Sequence, residues 1–102
     1  MFYFMEPEVF VNRTEDGGEF CITIEGKKAT LTFSLRDKEL VADATYTPPE
    51  LRGRGIAARL VEAATDYSRK NGLKIYPMCS YVIEYFKRRP ELGSLLSERY
   101  PH

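Results

Sequence analysis

Several features that would fix a function class are missing from this chain. Lysine plus arginine balance aspartate plus glutamate at 15 each, so the formal net charge is zero. A dedicated nucleic-acid binder carries a basic excess, so nucleic acid is not the expected partner, although a local basic site is not excluded. Cys21 and Cys79 are the only cysteines. Two do not make a disulfide framework, and the expected setting is a reducing cytoplasm. No apolar run approaches the ~20 residues of a membrane-spanning helix. The apolar start, Met1 to Pro7, is short and lacks the basic flank of a secretory signal. The one histidine, His102, is the last residue of an expected mobile tail. With no repeat, low-complexity segment or linker, the 102 residues are expected to form one domain, 1–102.

What is present is an ordinary globular composition, 43% apolar and 13% aromatic, with clear periodicities. Residues 8–12 read as a short strand, and Thr14 to Gly18 as a turn in which two glycines supply positive φ. From Glu19 to Glu25, Phe20, Ile22 and Ile24 alternate with Cys21, Thr23 and Glu25. From Lys28 to Leu35, Ala29, Leu31, Phe33 and Leu35 alternate with threonines and serine. Period two with β-branched residues is the pattern of half-buried strands. Glu39 to Tyr46 makes a fourth strand, stopped by Pro48-Pro49. Short turns between these runs predict an antiparallel four-stranded meander.

A helix follows from roughly Arg54 to Asn71, with Ile56, Leu60, Val61, Ala64 and Tyr67 on one face. Asn71-Gly72 is its stop signal. Residues 73–77 form a fifth strand that the crossover helix should lay parallel to the fourth. A short helix from about Tyr81 to Arg88, with Ser80 as its N-cap, and one or two further turns to Arg99 complete an α+β chain.

Between the fourth strand and the first helix lies Pro48-Pro49-Glu50-Leu51-Arg52-Gly53-Arg54-Gly55-Ile56-Ala57. Helix N-termini carry unpartnered N–H groups and partial positive charge. Glycines allow a phosphate close to the backbone, and Arg52 and Arg54 add charge-assisted donors. The opposing reading is that the glycines only fit a tight strand-to-helix turn and the arginines are solvated. A P-loop is excluded because no Gly-Lys-Ser/Thr closes the stretch. A dinucleotide fingerprint is excluded because Ala58 takes its third glycine place and the preceding strands form a meander.

Arg52-Gly53-Arg54-Gly55-Ile56-Ala57 resembles the Q/R-x-x-G-x-G/A signature of the GNAT superfamily of N-acetyltransferases, with Arg52, Gly55 and Ala57 in the signature places. Over a wider span, Thr45 to Ala57 with Tyr76-Pro77-Met78-Cys79-Ser80-Tyr81-Val82 and Arg88-Arg89-Pro90 resembles its small single-domain YjdJ-type branch. The resemblance implies a GNAT-like fold and acetyl-CoA as acetyl donor, with no metal. It also implies that the backbone of Arg52, Gly53, Arg54, Gly55, Ile56 and Ala57 holds the pyrophosphate. Thr45, Tyr46 and Thr47 would line the pantetheine between the parting fourth and fifth strands.

Cys79 stands where a strand gives way to a helix, a place that favours a thiolate. Such a group can accept an acyl group or activate an amine. The plain alternative is a small buried apolar residue. The resemblance favours Cys79 as the catalytic residue and gives Tyr81 the role of protonating the departing CoA thiolate. Tyr85 and Phe86 read as packing residues, Cys21 as structural, and Lys87-Arg88-Arg89 as a solvated helix end that could also meet a CoA 3′-phosphate or RNA. The branch usually carries histidine where this chain has Ala44, and Asp43 is a poor substitute if adjacent strand residues face opposite ways.

The function implied is an acetyl-CoA-dependent N-acetyltransferase acting on a small or peptidyl amine, with an open, shallow acceptor site. The alternative, favoured by Ala44, is an acyl-CoA-binding regulatory or interaction module without efficient turnover. An RNA- or partner-binding domain is the third reading.

Overall fold

One mixed sheet, in the order β1-β2-β3-β4-β5, carries the helices of this chain. It is seen in a computed structural model that describes residues 8–101. The readings of Met1 to Pro7 and of His102 lie outside the described residues. The strands are β1 (Phe10–Thr14), β2 (Gly17–Ile24), β3 (Lys27–Arg36), β4 (Glu39–Tyr46) and β5 (Lys74–Pro77). Helix α1 (Ile56–Lys70) joins β4 to β5, helix α2 (Ser80–Lys87) follows β5, and 3-10 turns span Pro49–Leu51 and Pro90–Leu95.

β1 to β4 pair antiparallel, and β5 lies parallel to β4. The meander, crossover helix and fifth strand are therefore arranged as the sequence predicts. The first strand and the first turn are not. β1 lies two residues later than expected, the turn is Glu15-Asp16, and Gly17 and Gly18 belong to β2. Their role is close approach rather than turning: a Cβ on Gly17 would collide with the Phe33 carbonyl, and one on Gly18 with the Asn12 carbonyl. Neighbouring backbone, not a reversal of direction, demands glycine there.

α1 covers one face of the sheet. Ile56, Leu60, Val61 and Ala64 are buried against Phe20, Ile22, Leu31, Phe33, Leu40 and Ile75. Truncating one fully buried residue such as Leu60 costs roughly 2–5 kcal/mol. Tyr67 extends this core as an aromatic cluster with Phe20 (5.6 Å) and Phe33 (6.1 Å). The helix ends as Asn71-Gly72 predicts: Gly72 takes φ 65° and Leu73 N–H returns to the Ser68 carbonyl at 2.8 Å.

Cys21, expected on the polar face, is buried there opposite Phe10 of β1. The segment after Pro90 runs back along β5: Ser97 N–H bonds Ile75 O at 2.8 Å, and Arg99 closes on the Glu39 carboxylate at 2.7 Å. This ties the far ends of β4 and β5 together, so only their other ends can part.

Candidate functional site

β4 and β5 pair only from Glu39↔Lys74 to Ala42↔Pro77. Pro77 has no N–H to offer the ladder. The N–H groups of Met78 (2.9 Å) and Cys79 (3.1 Å) then converge on the Ala42 carbonyl, and the chain turns into α2. β4 runs on to Tyr46 along β3 alone. Its register with β3 steps from Phe33↔Ala42 to Thr32↔Ala44, leaving Asp43 as a bulge at the point of parting. A bulge increases local twist and bends its strand, so the sheet splits here.

The bulge corrects the argument from strict alternation. Asp43 and Ala44 are both exposed. Ser34 Oγ donates to Asp43 Oδ2 at 2.7 Å, while Ala44 pairs with Thr32, which faces the same way as Ser34. Asp43 is thus engaged by Ser34 rather than turned to the opposite face.

The split opens a cleft of about 460 Å³. Thr45, Tyr46 and Thr47 line it from the strand end, and Tyr81 lines it from α2. Leu51, Arg52, Gly53, Gly55, Ile56 and Ala57 line it from the loop and α1. Nine of the eleven residues named from the sequence therefore line one cleft. Arg54 is exposed outside the lining, and Cys79 joins it only through Thr45.

The loop is built to keep the start of α1 bare. Buried Leu51 anchors the 3-10 turn, and Arg52 Nε donates to the Thr47 carbonyl at 3.1 Å. Gly53 and Gly55 take φ 80° and 74°, the left-handed region that favours glycine. A Cβ on either would meet no atom within 4 Å, so the space above them is open. Gly55 is the N-cap, without a side chain or a capping hydrogen bond, and no acidic residue occupies the first turn. The first N–H groups and the positive end of the dipole therefore face the cleft with nothing from the helix opposing them. The arrangement fits an anionic, phosphate-bearing group.

α2 begins differently from expectation. Its N-cap is Cys79, not Ser80, with φ −75° and ψ 135°. Cys79 is half-buried, and its sulfur lies 3.4 Å from Thr45 Oγ1 across the split. Burial pushes the thiol pKa up. The Thr45 hydroxyl and the N–H groups of Val82, Tyr81 and Thr45 outweigh it and hold the thiol below its ordinary value. None of the helical N–H groups closes a full capping bond to the sulfur. The lowering comes from several partial interactions.

Tyr81 is 38% exposed, with its side chain on the cleft wall. Tyr85 and Phe86 are buried and stack edge-on at 6.0 Å, as packing residues should. The basic run is dispersed. Lys87 pairs with Glu84 at 3.6 Å, Arg89 lies 3.8 Å over the Tyr85 ring, and Arg88 is exposed. Among the described residues, no group of three or more histidine, cysteine, aspartate or glutamate side chains gathers at one point. Nor is any helix long and apolar enough to cross a membrane.

Sequence reasoning missed Leu51, the Ala42 carbonyl, the Asp43 bulge and the bond between Thr45 and Cys79. Proline at 77 was the available signal for the parting. The Thr45–Cys79 contact spans 34 residues and leaves no local signature.

Residues 19–95 match the family model of the GCN5-related N-acetyl-transferase family. The chain is 33% identical over 75 residues to Protein NATD1 of chicken and of mouse, covering 71% of this chain and 68% of each relative. It also aligns with the solution structure of a GCN5-like candidate N-acetyltransferase from Staphylococcus aureus, with a TM-score of 0.65 and 24% identity. That match covers 91% of this chain and 95% of the other, and likens the two in fold.

Proposed function

The chain belongs to the GCN5-related N-acetyl-transferase family, and from that premise we propose that it is an acetyl-CoA-dependent N-acetyltransferase acting on a small or peptidyl amine. The observation that carries this reading is the uncapped, side-chain-free start of α1 at the mouth of the split between β4 and β5.

Acetyl-CoA supplies the activated thioester. The residues of this chain divide the remaining work. The N–H groups from Gly53 to Ala57, with Arg52 and Arg54, hold the pyrophosphate. Thr45 to Thr47 flank the pantetheine along the unpaired edge of β4. Cys79 serves as nucleophile or proton acceptor, supported by its depressed pKa and its place at a helix start. Tyr81, on the cleft wall, returns a proton to the leaving thiolate. Residues 1–102 act as one minimal domain. A reducing compartment suits it, because Cys79 works only as a free thiol.

Isothermal titration with acetyl-CoA, followed by thioester consumption over a panel of amines, tests the reading. Binding with turnover on at least one amine is the expected result. No heat and no protection at millimolar acetyl-CoA overturns it. Ala44 favours a second reading, since no imidazole occurs among the described residues to take a proton at the strand end. Tight CoA binding without turnover on any amine supports that reading, a binding module.

A further inference from the structure

The sulfur of Cys79 has one side-chain partner across the split, the Thr45 hydroxyl, at 3.4 Å. Thr45 also lines the cleft that Cys79 itself does not line. It stands on the unpaired end of β4, fixed on its other side by pairing with Leu31 of β3. Its β-branched side chain has restricted freedom about χ1, so the strand limits where the hydroxyl can point.

From this geometry we propose that Thr45 is the positioning residue of Cys79, donating a hydrogen bond that holds the sulfur as a thiolate directly behind Thr45 of the cleft wall. The proposal rests on the role given to Cys79 above and assigns Thr45 a task beyond flanking a ligand. A neutral thiol can donate to or accept from a hydroxyl, so either atom can be the donor in that state. A thiolate can only accept. When Cys79 ionises, its proton leaves to solvent, and Thr45 keeps its own proton and turns it to the sulfur. The bond is stronger to the charged form than to the neutral one, and that difference favours ionisation.

Several charged groups of the surrounding elements are engaged elsewhere. On β4, Asp43 accepts from Ser34 and Glu39 from Arg99. On β5, Lys74 donates to the Ser94 carbonyl. On α2, Glu84 pairs with Lys87, and Arg89 lies over Tyr85. Tyr46, Tyr76, Tyr85 and Arg88 also stand on these elements, but none is among the leading influences on the sulfur, and Tyr81 contributes through its backbone N–H. The strongest influences on the sulfur besides burial are therefore dipoles, with the Thr45 hydroxyl foremost.

The test is the pH profile of iodoacetamide alkylation at Cys79, read by peptide mass mapping on the full chain without CoA. Thr45→Val and Thr45→Ala should move the profile to higher pH and slow alkylation at neutral pH by about threefold to tenfold. Thr45→Ser should restore the parent profile. Circular dichroism checks each fold, and the alanine variant stands in if the valine variant unfolds. Unchanged profiles in the valine and alanine variants overturn the proposal, as does a serine variant that behaves like valine. A parent profile at the ordinary thiol value would remove the thiolate role of Cys79 as well. CoA binding by calorimetry is a separate readout, so failure of the cofactor reading is seen independently.

Discussion

Two helices begin beside the same cleft, and they use their N-termini in opposite ways. α1 begins at Gly55, in the left-handed region, with no side chain at the cap and open space above it. α2 begins at Cys79, in the extended region, and holds its own prospective anion, the sulfur. The first start is complementary to a charge that must come from outside. The second lowers the cost of a charge formed within the chain. On the proposed reading the difference separates binding from chemistry: one helix end would take the donor and the other would ready the group that reacts.

Cys79→Ala should give the largest effect. It is expected to lower acetyl transfer by at least about a hundredfold while leaving CoA affinity within about twofold, since the α1 start is untouched. Steady-state rates and calorimetry on the same variant check both halves. Full transfer activity in Cys79→Ala would dissolve the division.

Gly55→Val attacks the other side. A β-branched residue at φ 74° is strained by roughly 1–2 kcal/mol, and its side chain enters the open space of the cradle. CoA affinity should fall by about tenfold or more. Gly72→Ala is the control, because Gly72 also has positive φ, 65°, but caps the opposite end of α1. It should lose about 1 kcal/mol of stability and keep CoA binding. Equal losses of affinity in both would mean that strain, and not the cradle, is being measured.

Arg52→Ala sharpens the comparison further. Its Nε bond to the Thr47 carbonyl orders the loop, so affinity should drop by roughly threefold to tenfold, with the Cys79 alkylation profile unchanged.

The smallest effect concerns neither helix start. Hydrogen bonds from Arg99 hold the Glu39 carboxyl below its ordinary value of 4.5, and Ser97 adds to them against the opposing effect of burial. A depressed carboxylate stabilises the fold above its ordinary pKa, and that contribution is lost as pH falls through 4.5 toward the folded value. Thermal melts should therefore show the parent losing stability below about pH 4.5 more steeply than Glu39→Gln. Parallel melting curves would contradict the assignment.

The sheet order was legible because strands β2 and β3 alternate cleanly, Pro48-Pro49 closes β4, and Asn71-Gly72 closes α1. The bare start of α1 was legible in part, since Gly53 and Gly55 signal a tight strand-to-helix junction, but the residues alone left a plain turn with solvated arginines as open as a phosphate cradle. The split in the sheet was only partly so. Nothing in Ala42-Asp43-Ala44 announces a bulge, which falls where β5 leaves one edge of β4 while β3 continues along the other. Gly17-Gly18 misled because glycine serves turns and close strand approach alike, and only the neighbouring carbonyls of Asn12 and Phe33 decide between them. Ser80 looked like the cap from residue type alone, yet the last bond to Ala42 places the helix start one residue earlier.

The central claim is that the donor's phosphates sit on the α1 start while its reactive end reaches the Cys79 side of the same cleft. Backbone amide chemical shifts followed during a CoA titration test it most directly. The account predicts the largest changes from Arg52 to Ala57, with a second group at Thr45 and Cys79. Changes confined to Lys87, Arg88 and Arg89, or none at saturating CoA, would contradict it.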